Sequence, residues 1–105
     1  MADPFKDTEK DLQARILRYL RKIKDSEWVK FQAGPYTPKG IPDIIGCWKG
    51  RFFFFEVKLP ARKNSVTNAQ YRRMVELKCA GAIGGVVTSV EETQRIIEKQ
   101  DAKET

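Results

Sequence analysis

The sequence predicts an α/β domain whose mixed sheet of about four strands is flanked by helices. An amphipathic helical segment comes first, and short apolar runs then alternate with two more helical patterns in the order α, β, β, β, α, β, α. The four consecutive phenylalanines at 52–55 agree with this, because a strand covered on both faces need not alternate apolar and polar residues. We expect one domain spanning 1–105, with a frayed tail from about residue 101.

The first helix is predicted in the segment "DTEKDLQARILRYLRKIK", with Asp7 or Thr8 as its N-cap. Its apolar residues recur at helical spacing: Leu12, Ile16, Tyr19, Leu20 and Ile23. Glu9 projects near the centre of this apolar stripe, where a carboxylate is not expected. On the evidence of the neighbouring residues alone, Glu9 is a first-turn acid favoured by the helix dipole.

A hairpin follows a first strand at "EWVKFQAG" and a loop at "PYTPKGIP". Its strands are "DIIGCW" and "RFFFFEVK", joined at Lys49 and Gly50. A two-residue turn, or a four-residue loop in the same register, places Asp43 opposite Glu56, with Lys58 on the same face. A three-residue loop would send the two acids to opposite faces.

The rest of the chain predicts two helices separated by a strand. After the loop "LPARKNS", "VTNAQYRRMVELKCAGA" is typical of a helix with Thr67 at its N-cap and Gly81 near its C-terminal end. "IGGVVTS" predicts the fourth strand, and "SVEETQRIIEKQ" predicts a third helix that begins with a capping box between Ser89 and Glu92.

Charge and composition limit the possible functions. Twenty Lys and Arg residues against fourteen Asp and Glu residues give a formal charge of +6, which favours a polyanionic partner such as nucleic acid. The sequence has no histidine, which excludes His-metal nucleases, Ser-His-Asp hydrolases and Cys-His proteases. Hydrolytic chemistry would therefore depend on carboxylates, lysine and a metal ion.

The cysteines and the apolar runs suggest no disulfide framework and no membrane segment. Cys47 and Cys79 are distant and lack CxxC grouping, so both are expected to be small core residues. The longest apolar run, 52–55, is far too short for a membrane span, and "MADPFKDTEKD" is too charged for a secretory signal. We expect a cytoplasmic protein.

The predicted cluster of Asp43, Glu56 and Lys58 suits metal-assisted phosphodiester hydrolysis. Two carboxylates opposite each other repel unless a cation lies between them, and Mg²⁺ or Mn²⁺ is typically held by one or two carboxylates together with substrate phosphate. A neighbouring lysine can hold the attacking water or neutralise charge in the transition state. The alternative is a surface salt bridge between Lys58 and Glu56, with Asp43 in a turn after Pro42.

At these residues the sequence resembles a known family. "GIPDIIG" followed by "FFEVKLP" resembles the PD-(D/E)xK nuclease motif, and "KGIPD", "EVK" and "NAQ" resemble its VRR-NUC branch. The resemblance extends from Glu9 to about Val90 and implies a restriction-endonuclease-like core. It implies that Asp43, Glu56 and the Val57 backbone carbonyl are ligands of Mg²⁺ or Mn²⁺.

The resemblance also implies roles for neighbouring residues. Lys58 would position or activate the attacking water, and Glu9 would approach the metal directly or through a water. Gln70 would support the active site, although Thr67 and Gln70 also form a T-x-x-Q capping box, and both can hold. Basic residues that flank the site are candidates for DNA contact: Lys39, Arg62, Lys63, Arg72 and Arg73.

Small stand-alone members of this family, from phages and bacteria, resemble Holliday-junction resolvases. The resemblance therefore implies a structure-selective DNA endonuclease in DNA repair, acting as a homodimer because a four-way junction needs two symmetric cuts. Phe5, Trp28 and Trp48 are candidates for the dimer interface or simply for the core. Two alternatives stay open: a less selective nickase or flap nuclease, and a basic nucleic-acid-binding module that keeps the nuclease fold without catalysis.

Overall fold

The computed structural model describes residues 7–103. The predicted order of elements is confirmed, with one short 3₁₀ helix added at Pro60–Arg62. The elements are α1 (Glu9–Leu20), β1 (Ser26–Lys30), β2 (Ile44–Trp48), β3 (Arg51–Val57), α2 (Asn68–Cys79), β4 (Ile83–Val87) and α3 (Val90–Lys103).

The four strands form one mixed sheet in the order β1-β2-β3-β4. The first three strands pair antiparallel, whereas β4 pairs parallel to β3. A parallel neighbour requires a crossover connection, and α2 provides it. The predicted α/β class with a mixed sheet is confirmed.

The β2–β3 hairpin has the two-residue turn that the sequence suggested. Lys49 and Gly50 have φ angles of 53° and 72°, both in the left-handed region that a type I′ turn requires. Trp48 consequently pairs with Arg51, and Ile44 pairs with Phe55. Continued by one residue, this register places Asp43 opposite Glu56, so the predicted register is confirmed.

Helices cover the two faces of the sheet unequally. On the core face, α1 and α3 pack against alternate residues of β3 that include Phe53 and Phe55. Trp28 lies on this face over Gly46, where a Cβ atom would come within 2.3 Å of the indole ring. The opposite face carries Phe54 and Glu56 and is covered by α2, so we call it the α2 face. Residues 53–55 are fully buried, because β3 is covered on both sides.

Side-chain caps fix where the first two helices begin. Thr8 accepts a hydrogen bond from the Asp11 N–H at 3.1 Å, and the Asp11 carboxylate accepts one from the Thr8 N–H at 3.0 Å. Glu9 is therefore the first residue of α1. Thr67 caps α2 in the same manner, with Gln70 in place of the acid.

Several expectations about individual side chains were wrong. Cys47 and Cys79 are exposed and unpaired, because Cys47 lies on the part of the α2 face that the helix does not cover and Cys79 lies at the end of α2. For Trp28 and Trp48, the core alternative is confirmed, because both are buried there. Phe5, the third interface candidate, lies outside the described residues.

The C-terminal helix is longer than predicted. We expected fraying from about residue 101, but α3 continues to Lys103. Asp101 forms an ion pair with Lys49 of the hairpin turn, which ties this last turn to the sheet. Within residues 7–103, no helix is long and apolar enough to cross a membrane.

Candidate active site

Two carboxylates and an amine come together where β2 begins and β3 ends. Asp43 immediately precedes β2, Glu56 is the second-last residue of β3, and Lys58 follows that strand. The antiparallel register brings the two acids opposite each other, and the two-residue period of the strand places Lys58 beside Glu56. The Lys58 Nζ atom lies 3.9 Å from Glu56 Oε1.

Asp43 is fixed by the backbone on two sides. Its carbonyl oxygen accepts a hydrogen bond from the Phe31 N–H at 2.8 Å, and its Oδ2 atom accepts one from the Val57 N–H at 2.8 Å. Because both donors are backbone groups, the position of the Asp43 carboxylate is set by the sheet and the adjoining chain.

Glu56 is the most unusual charged residue of the structure, because only 1% of its surface is accessible to solvent. Its Oε1 atom accepts a hydrogen bond from Gln70 Nε2 at 3.1 Å. Its Oε2 atom is also buried, yet it has no hydrogen-bond partner in the described part of the chain. An ionised buried carboxylate oxygen without a partner is costly, so the site favours either a proton on Glu56 or a bound cation.

The environment of Glu56 favours its neutral form. Burial is the largest cause, followed by the neighbouring Asp43 charge and by a side-chain hydrogen bond with Asp43, and together they raise the pKa of Glu56 to about 8. The Lys58 charge lowers this pKa but does not compensate for burial. With no cation bound, a proton would therefore occupy the acid pair at neutral pH.

The residues present fit a divalent cation. Paired carboxylates with a free buried oxygen offer the hard ligands that Mg²⁺ and Mn²⁺ prefer, and a cation would replace the proton held by Glu56. Among residues 7–103, no group of three or more His, Cys, Asp or Glu side chains could hold a metal ion. A cation at Asp43 and Glu56 would therefore also use backbone, water and substrate oxygens.

The register identifies one backbone oxygen suited to that role. Pro42 lies opposite Val57 when the β2–β3 pairing is continued by two residues. Since proline has no N–H, it cannot donate to the Val57 carbonyl as another residue would. The N–H and C=O of one strand residue point to the same side, and the Val57 N–H points to Asp43. The Val57 carbonyl therefore lies on the side of the acid pair, where the resemblance implied a metal ligand; its role as a ligand stays a prediction.

Gln70 joins α2 to the acid pair with a single amide group. Its Oε1 atom accepts a hydrogen bond from the Thr67 N–H at 2.9 Å, which completes the capping box. Its Nε2 atom donates to Glu56 at 3.1 Å. The two alternatives considered for Gln70 are therefore present together, and capping fixes the amide in the orientation that presents N–H groups to Glu56.

Glu9 lies on the edge of this cluster. It is half-buried at the first position of α1, and its charge contributes to the raised pKa of Glu56. Its contribution is smaller than those of Asp43 and Lys58, as expected for a more distant group. The structure thus brings Glu9 into electrostatic contact with the acid pair.

The basic candidates differ in how freely they reach solvent. Four of them are exposed: Lys39, Arg62, Lys63 and Arg72. Arg73 is only half-exposed, and its NH1 atom lies 3.7 Å from Glu76 on the same helix. Arg73 is therefore less available to a phosphate than its neighbour.

The fold places Asp43 just before one strand, and Glu56 and Lys58 at the end of the next, which is the order that the PD-(D/E)xK resemblance implied. The chain is similar to a solved structure described as "VRR_NUC domain", with a TM-score of 0.64 and 22% sequence identity over 86% of this chain and 94% of that one. No family model and no curated protein matches the sequence. The chain has the nuclease-like VRR-NUC fold, as the resemblance at "KGIPD", "EVK" and "NAQ" implied.

Proposed function

We propose that this protein is a Mg²⁺- or Mn²⁺-dependent endonuclease that hydrolyses phosphodiester bonds in branched DNA. The observation that carries the proposal is the buried Glu56, whose Oε2 atom has no partner within residues 7–103, opposite Asp43 and beside Lys58. A structural salt bridge would not need a second carboxylate opposite the first.

Asp43, Glu56 and the Val57 carbonyl would hold the cation, with Glu9 contributing directly or through a water. When bound, the cation supplies positive charge to the scissile phosphate and lowers the pKa of water at the site. The Val57 N–H orients Asp43, and Gln70 orients Glu56, so both carboxylates are held before substrate arrives.

Lys58 would hold the attacking water. It is 8% exposed, and its Nζ atom remains within 3.9 Å of Glu56, so its position is restricted. The attacking water releases a proton to solvent as its oxygen forms a new bond to phosphorus, one P–O ester bond breaks, and the leaving oxygen takes a proton from solvent. Lys58 contributes by donating hydrogen bonds to the water and to the charged phosphoryl oxygens as the bond changes occur.

DNA contact would depend on phosphates rather than bases. The exposed basic side chains at Lys39, Arg62, Lys63 and Arg72, with Arg73 in a lesser role, would attract the DNA backbone. Such contacts carry no sequence information, which favours recognition by the shape of a branched substrate.

A homodimer would allow paired cuts at a four-way junction. The α2 face leaves apolar side chains uncovered, which we call the apolar strip: Val29 is 51% exposed, Phe52 is 42% exposed, and the exposed Cys47 pairs with Phe52. A second copy against this strip would hide apolar surface and keep two acid pairs on related faces. The solvent-exposed strip supports the dimer because the core tryptophans cannot supply its interface.

Cleavage of defined DNA structures tests the proposal. A four-way junction, a fork and a linear duplex of matched sequence are incubated with Mg²⁺, with Mn²⁺ and with EDTA. We expect symmetric cuts in the junction with either metal and no cuts in EDTA. Metal-dependent cuts in all three substrates would replace the resolvase with a less selective nickase or flap nuclease. Junction binding without any cut would indicate a non-catalytic DNA-binding module.

The mass in solution tests the dimer. Light scattering is expected to give twice the 12.1 kDa chain mass, and Val29→Glu is expected to give a monomer that makes unpaired cuts. Val75→Glu is the matched control, because Val75 is 43% exposed on α2, away from the strip. A wild-type protein that stays monomeric with and without junction would contradict the dimer.

A further inference from the structure

Gly40 packs directly against the first turn of α2. Its φ angle of 82° lies in the left-handed region, and a Cβ atom at this position would come within 2.3 Å of the Ala69 carbonyl oxygen. The Gln70 backbone nitrogen would lie 3.0 Å from the same atom. Any L side chain would therefore be excluded twice, by the backbone conformation and by the contact. The backbone of Gly40 thus contacts the backbone of α2 at the turn that contains Gln70.

The two partners of this contact are held with different strength. Downstream of Gly40, Asp43 is anchored by backbone hydrogen bonds from Phe31 and Val57, both at 2.8 Å. Helix α2 is anchored weakly, since Met74 is its one buried residue. A side chain at position 40 would consequently push the helix away rather than displace the Asp43 carboxylate.

We propose that Gly40 is a positioning residue that acts through Gln70. The close contact sets the distance between α2 and the loop, and this distance allows Gln70 Nε2 to reach Glu56 at 3.1 Å. A helix displaced by an added methyl group would lengthen this hydrogen bond and release the Glu56 carboxylate from its orientation. The effect on turnover rests on the proposed nuclease function, whereas the effect on the Gln70 amide does not.

The side-chain amide of Gln70 gives a direct test without catalysis. In ¹⁵N NMR spectra, Gly40→Ala is expected to move the Gln70 amide resonances toward those of a free glutamine and to speed their hydrogen exchange. Gly34→Ala is the matched control, because it lies in the same loop with its nearest Cβ neighbour, Thr37 Oγ1, at an ordinary 3.7 Å. Unchanged Gln70 resonances in folded Gly40→Ala would overturn the proposal.

A double-mutant cycle tests whether Gly40 acts through Gln70. Gly40→Ala and Gln70→Ala are each expected to lower kcat about 10- to 100-fold, the usual cost of losing a group that orients a metal ligand. The kcat of the double variant is expected to lie within about threefold of the kcat of the less active single variant, because both substitutions remove the same hydrogen bond. Losses that multiply would overturn the route through Gln70.

Two further outcomes separate the possible failures. If Gly40→Ala does not fold, Gly40→Asn repeats both measurements, since asparagine tolerates positive φ yet still adds a Cβ atom against Ala69. A Gly40→Asn protein with native Gln70 resonances would overturn the proposal. If the wild-type protein cuts no substrate, the nuclease function fails, while the resonances of Gln70 still decide the positioning role.

Discussion

Glu56→Gln is expected to abolish metal-dependent cleavage, with kcat lowered about 1,000-fold or more. The substitution keeps the shape of the side chain but replaces its carboxylate with a neutral amide. The change includes Oε2, the buried oxygen that has no hydrogen-bond partner in the described chain. A cation held by Asp43 alone would be weakly bound. In EDTA, the affinity of the variant for the junction is expected to stay within about threefold of the wild-type affinity, because Glu56 is buried and phosphate contacts come from exposed basic residues.

The measurement compares cleavage rates and junction affinities of the wild-type protein and of two glutamine variants. Glu76→Gln is the matched control, because Glu76 is an exposed carboxylate on α2 with an ion pair to Arg73. It is expected to cut at the wild-type rate. Undiminished cutting by Glu56→Gln would mean that the activity belongs to a contaminating nuclease and that the acid pair has no catalytic role.

The hairpin was predictable from sequence because its signals are local. The apolar runs on both sides of Lys49 and Gly50 fix the strand period, and a two-residue turn leaves one register. Asp43 and Glu56 then face each other as a matter of geometry. The N-caps at Thr8 and Thr67 were equally predictable, since a capping side chain bonds to residues within its own turn.

Tertiary contacts were not predictable from the same patterns. The exposure of Cys47 depends on how much of the sheet α2 covers, and the local sequence pattern does not determine that area. The burial of Trp28 depends on Gly46, which leaves space for the indole from a neighbouring strand. The contact of Gly40 with α2 joins segments separated in the chain, so "KGIPD" alone could not reveal it.

The stability of the metal-free protein is expected to fall as the pH rises from about 5 to about 8.5. The folded state holds a proton on Glu56 up to about pH 8, whereas the unfolded chain releases it near the ordinary value of 4.5. Between these values the folded state binds more protons, so the free energy of unfolding decreases with pH. The contribution is fully present below pH 4.5 and is lost as the pH passes 8. A shift of this size corresponds to roughly 3 to 5 kcal/mol.

Other titrating groups whose pKa values shift lie outside this window. An ion pair with Arg15 lowers the pKa of Asp7, and hydrogen bonds from Thr88 lower that of Glu92, so both titrate below it. Burial raises the pKa of Tyr19 above its ordinary value of 10. The slope between pH 5 and 8.5 therefore reports chiefly on Glu56.

Urea unfolding in EDTA across this pH range measures the slope, with Glu56→Gln as the variant that removes it. That variant is expected to give a nearly flat profile and to exceed the wild-type stability at pH 8.5, because burial penalises a neutral amide less than an ionised carboxylate. Glu76→Gln should keep the wild-type slope. A wild-type profile as flat as that of Glu56→Gln would show that Glu56 ionises normally and that its burial does not prepare a cation site.

The effect of added Mg²⁺ or Mn²⁺ on the free energy of unfolding tests whether the acid pair binds the cation that the proposed nuclease function requires. A cation that binds the ionised acid pair of the folded state restores about 2.7 kcal/mol at 100 times its dissociation constant. The gain should be largest above pH 8, because at lower pH the cation must first displace the proton on Glu56. Glu56→Gln should gain little at any pH. A metal-induced gain that is equal in the two proteins would place the cation elsewhere, since only a cation bound at Glu56 competes with that proton.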